Sequence, residues 1–80
     1  MKIKYKIKWQ IPDDYSPSAV LRKLPSPISQ QMTEIYNYSV LDDGFYFLDN
    51  LVDQTVSGKA MKLLIDEALK YTDEVRICKL

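Results

Sequence analysis

The chain has 80 residues, 46% hydrophobic and 28% charged, with two glycines and four prolines, a balance that specifies one small folded domain over residues 1–80 rather than a disordered tail. Eleven basic and eleven acidic side chains cancel, which argues against a general polyanion binder, since such proteins carry a basic excess. No histidine and a single cysteine, Cys78, argue against a zinc site, a Ser-His or Cys-His catalytic pair and an internal disulfide.

Residues 2–11 alternate strictly. Lys2, Lys4, Lys6 and Lys8 point one way and Ile3, Tyr5, Ile7, Trp9 and Ile11 the other, the period-two pattern of a strand with one buried face. Pro12 removes a backbone donor and Asp13-Asp14 opens a loop. Ser16-Pro17 suits an N-cap followed by proline at the first helical position. Val20, Leu21 and Leu24 then share a face, so a short helix is predicted over 17–24, ended by Pro25. Ser26-Pro27 could open a second short helix reaching Met32, or a loop over 26–32, and the loop is the favoured reading. Residues 32–41, rich in aromatic and β-branched types, read as a second strand. Asp42-Asp43-Gly44 is a hairpin turn in which Gly44 supplies the positive φ, and residues 45–48 form the returning strand.

After a connection with Thr55 or Ser57 as helix cap, Met61, Leu64, Ile65, Ala68 and Tyr71 follow helical spacing over 59–71. Lys62 with Asp66, and Asp66 with Lys70, stand four apart on the outer face. Residues 75–80 read as a last strand. The order strand, helix, strand, strand, helix, strand predicts an α+β, ferredoxin-like βαββαβ fold. Its single antiparallel four-stranded sheet would have strands 1 and 3 central and both helices on one face. No stretch approaches the ~18 apolar residues of a membrane span, and no apolar run of signal-peptide length follows the basic N-terminus; the cytoplasm is the expected compartment.

Charge is unevenly placed. Residues 1–23 hold six bases and two acids, whereas Leu24 to Gly58 holds no Lys or Arg and five acids: Glu34, Asp42, Asp43, Asp49 and Asp53. Turn and cap chemistry accounts for each Asp singly. Together they make an acidic segment suited to a basic partner. Tyr36 and Tyr38, on one face of the second strand, add contact area at low entropic cost. The lysine row has two readings as well: a solvated strand face, or phosphate contacts by Lys2, Lys4, Lys6 and Lys8 over about 20 Å.

Asp43-Gly-Phe-Tyr-Phe-Leu-Asp-Asn50 resembles the strand-3 signature of the RNA-recognition-motif family. Gly44, Phe45 and Phe47 match and Leu48 is close. Asp43 stands where the family has a base, Tyr46 where it has a small residue and Asn50 where it has an aromatic. The resemblance implies stacking of single-stranded nucleic acid on Phe45 and Phe47.

Catalysis has little to work with. The carboxylates lack EF-hand spacing, a base would need a cleft to shift its pKa, and 80 residues rarely supply both core and cleft. The expectation is a non-catalytic protein-binding protein, without cofactor or metal: an inhibitor, immunity or anti-defence factor, or an accessory subunit. It would cover a basic surface of a partner through Asp42, Asp43, Asp49, Asp53, Tyr36 and Tyr38. The alternatives are single-stranded RNA or DNA binding on the open sheet face and a homodimeric structural module.

Overall fold

The computed structural model describes residues 2–80. Along the chain run β1 (Ile3–Lys8), α1 (Ser18–Leu21), β2 (Tyr36–Leu41), β3 (Gly44–Asp49), α2 (Gln54–Leu69) and β4 (Arg76–Lys79). The strands form one antiparallel sheet in the order β2-β3-β1-β4, which makes the fold α+β with β3 and β1 as inner strands.

The register decides which side chains are buried. Ile7 stands opposite Phe45, Tyr5 opposite Phe47, and Phe47 opposite Tyr38, so these residues share one face. Ile7, Phe45, Phe47 and Tyr36 are buried there with Trp9, Val20, Ile35, Ala60, Leu64 and Ala68. The helices supply the other half of this core: α2 packs on β3, and α1 lies against α2 with Val20 turned inward. The reverse face carries Lys4, Lys6 and Lys8, with Tyr46 and Cys78 opposite Lys6 on its two neighbours.

Several boundaries differ from the sequence reading. The first helix is a single turn, not a run over 17–24. Pro17 itself takes the N-cap position in helical conformation, and no side chain caps the helix. The second strand begins at Tyr36 rather than at 32, because the preceding residues close a small turn of their own. Met32 takes φ 64°, the Ser29 N–H donates to the Thr33 carbonyl at 2.8 Å, and Ile28 bridges Glu34. Local hydrogen bonding here outweighs the strand preference of Thr33 and Ile35.

The long helix begins at Gln54, not Lys59. Its cap is Asp53 rather than Thr55 or Ser57, and the chain passes through Gly58 without a break. The buried stripe is Ser57, Ala60, Leu64, Glu67 and Ala68. Met61 and Ile65 pack at its margin, and Tyr71 is 53% exposed with its ring stacked on Trp9. The expected Lys62–Asp66 pair forms at 2.7 Å, but Lys70 turns to Glu67 at 3.4 Å instead of Asp66.

Candidate partner-binding surface

The structure separates the residues expected to meet a partner. Asp49 is buried at 7% exposure. Its Oδ1 accepts from the Leu51 N–H at 2.8 Å and from Ser57 Oγ at 3.0 Å, tying the turn at Leu51 (φ 59°) to α2. Asp53 is exposed, but its Oδ1 caps α2 through the Thr55 and Val56 N–H groups at 3.0 and 3.2 Å. These two acids hold the junction between sheet and helix; burial takes Asp49 out of direct partner contact, which corrects its assignment, whereas the Asp53 side chain stays exposed. Tyr36 is corrected in the same way: it is 1% exposed, and its hydroxyl donates to the Pro25 carbonyl. Burial pushes that hydroxyl's pKa up, with a further contribution from Tyr38. Tyr38 is half-buried at the core's edge.

Phe45 and Phe47, the expected stacking residues, are each 1% exposed and lie in the core. The pairings Ile7 with Phe45 and Tyr5 with Phe47 turn them to the helix side, so nothing can stack on them from the open face. Lys4, Lys6 and Lys8 do lie on that face, and Lys2 is exposed just before it. The aromatic this face offers is Tyr46, opposite Lys6. A shift of one residue in strand parity separates the two outcomes.

Asp42 and Asp43 remain at the corner of the β2–β3 turn, both exposed. Lys6 reaches Asp43 at 2.8 Å, and the hydrogen bond from its ammonium holds the Asp43 carboxyl below the usual carboxylate range. Among the described residues Asp42 has no such partner. It is joined instead by an acid that sequence reasoning had counted with the basic N-terminal stretch. The Trp9 N–H donates to the Asp43 carbonyl at 3.2 Å, which brings the loop after β1 beside the turn. An open groove forms there with Asp13 and Asp42 among its walls and Ile11, Pro12, Val40 and Leu41 as its apolar lining. Val40 and Leu41 are 40% and 37% exposed. Among the described residues no cation pairs with Asp13, Asp14 or Asp42. The available signal was the Asp13-Asp14 doublet after Pro12, but its neighbourhood depends on the fold.

The same loop is anchored from below. The Tyr15 hydroxyl donates to Glu67 Oε2 at 2.7 Å, and Glu67 is 4% exposed. Tyr15 also packs edge-on against both Trp9 and Tyr71. Burial, then the hydrogen bond to Glu67, raises the Tyr15 pKa far above its ordinary value. Neither residue was singled out from the sequence, since a lone Glu in a helix reads as solvent-facing. Among the described residues no group of three His, Cys, Asp or Glu side chains is placed to hold a metal ion, and no helix is long and apolar enough to cross a membrane. Comparison with protein-family models, with curated proteins and with solved structures returns no match.

Proposed function

We propose that this is a small non-catalytic protein-binding protein, of inhibitor, immunity or anti-defence type or an accessory subunit, that covers a basic surface of its partner. The contact surface is the end of the molecule where Asp13 and Asp42 line one groove with the exposed Val40 and Leu41. The observation that carries this reading is the convergence of Asp13 and Asp42, distant in sequence, on one apolar-lined groove. An apolar centre with a charged rim is the usual anatomy of a protein interface. Unpaired surface acids steer a basic partner into encounter.

The chain order βαββαβ, with β3 and β1 inside the sheet, supports reading the scaffold as ferredoxin-like. The cytoplasm is the compartment that goes with this reading. The nucleic-acid alternative loses its stacking pair to the core and takes second place.

The test is affinity capture from the native host, followed by binding kinetics of the captured protein with Asp13→Lys and Asp42→Lys at low and high salt. Both positions are exposed, so stability should stay within about 1 kcal/mol of the parent. Association should slow and lose salt sensitivity, because steering between charges is screened by ions. Unchanged association rates in both variants overturn the assignment of this surface.

A further inference from the structure

The two edges of the sheet are protected differently. β4 is four residues long and carries Arg76 and Lys79, the kind of charged, short strand that resists unwanted pairing. β2 is the other outer strand, and its six residues, Tyr-Asn-Tyr-Ser-Val-Leu, include no charge and no proline. The Asn50 N–H donates to the Ile35 carbonyl, while the Tyr38 N–H is taken by its neighbour's Asn37 Oδ1 at 2.7 Å. Alternation along the strand therefore turns the main-chain groups of Asn37, Ser39 and Leu41 toward β3 and those of Tyr36, Tyr38 and Val40 outward. Among the described residues, the outward groups of Val40 meet no partner within the chain, whereas Tyr36 is only 1% exposed, so the open part of the edge runs from Tyr38 to Leu41.

We propose that β2 is a strand-addition site, and that its occupant is an extended segment of the partner protein with Lys or Arg flanking a short uncharged stretch. This rests on the reading above and states how the partner is held. Main-chain pairing would supply affinity, and Val40 and Leu41 would be covered by the added strand's side chains. The flanking charges follow from what brackets the edge. Exposed Glu34 lies just before β2, and Asp42 just after it, with Asp13 across the groove. The same bracketing disfavours a second copy of β2. In the antiparallel self-pairing centred on Tyr38, which overlaps residues 36–40 of the two strands, Glu34 of one copy falls opposite Asp42 of the other, and like charges directly opposed are destabilising.

The probe is a blocked peptide of alternating Val and Thr with two lysines at each end, and its counterpart N-methylated at alternate residues. The readouts are fluorescence anisotropy, hydrogen exchange at individual amides and light scattering. Binding of the first peptide, with the Val40 amide protected about tenfold or more, is the expected result. The methylated peptide should not bind. Val40→Pro deletes an outward N–H and no β2–β3 bond, so the fold should persist while affinity falls about tenfold or more. Asn37→Ala releases the Tyr38 N–H and should tighten binding roughly two- to tenfold.

No binding at peptide concentrations up to about 1 mM overturns the proposal. Equal binding to the parent and to Val40→Pro, with loss in Asp42→Lys, overturns strand addition while leaving the acidic end as the contact surface. A dimer that Val40→Pro dissociates overturns the choice of a basic partner over a second copy.

Discussion

Gly44 shows how one position can answer two demands. It takes φ +148°, and a Cβ built there would lie 2.0 Å from the Ile7 carbonyl oxygen, an atom fixed in the neighbouring strand. Gly44→Ala should therefore cost roughly 3 kcal/mol in denaturant titration, combining backbone strain with a displaced β1. The turn role was legible in Asp-Asp-Gly; the contact with Ile7 was not, because it depends on which strand lies alongside. Tyr15 and Glu67 make a second residue-scale case. The folded chain holds the Tyr15 hydroxyl neutral well above its ordinary pKa of 10.0. Its contribution to stability is thus fully present below about pH 10 and is lost as pH rises through the folded-state pKa. Tyr15→Phe should cost about 1–3 kcal/mol at neutral pH, because the buried Glu67 carboxylate loses a donor. It should also flatten the fall in stability above pH 10, measured by urea unfolding across that range. An unchanged alkaline slope would mean that the hydroxyl ionises freely in the folded chain.

Between residue and molecule, the elements differ in how much their own sequence decides. β1 was legible because lysines and large apolar residues alternate along it, although the alternation was read on to Ile11 and the strand ends at Lys8. α2 was legible in its second half and misjudged in its first. Gly58 reads as a boundary by propensity, but Asp53 offers a cap five positions earlier, and Ala60 and Leu64 bury a stripe that pulls Gly58 into the helix. Gly58 has open space where a Cβ would stand. Gly58→Ala should accordingly stabilise the protein by about 0.5–1 kcal/mol. Asp53→Ala should cost about 0.5–2 kcal/mol through two unsatisfied N–H groups. Thermal melts of the two single variants and the double variant check both values, and the effects should add, since five positions and no shared partner separate the sites. The start of β2 was not legible, because the Ser29–Thr33 turn is held by hydrogen bonds that strand propensity does not register.

At the scale of the whole molecule, the pairing of β1 with both β3 and β4 makes its apolar face the floor of the core, and α2 is the lid that closes it. That much followed from two matched periodicities, one of two and one of 3.6. The acidic end did not follow, because Asp13 and Asp42 meet only once the loop after β1 is tied to the hairpin through Trp9. Two aromatic groups stand in this core. Trp9, Tyr15 and Phe45 pack on one another with centroids 5.3–6.5 Å apart, the exposed Tyr71 lies against Trp9 and Tyr15 at the rim, and Phe47 stacks on Tyr36 at 5.4 Å. Ile7 and Leu64, both fully buried, belong to the same cluster as Trp9, Phe45, Tyr36 and Phe47, and so join the two groups. If the core is a single cooperative unit, Trp9 fluorescence and the far-ultraviolet helical signal should lose their native values at one urea concentration. Leu64→Ala should then lower stability by roughly 2–5 kcal/mol, as expected for truncating a buried leucine. It should shift both signals together and leave the slope of the transition unchanged. Two separate midpoints, or a Leu64→Ala effect confined to the helical signal, would show that α2 opens while the Trp9 group stays packed.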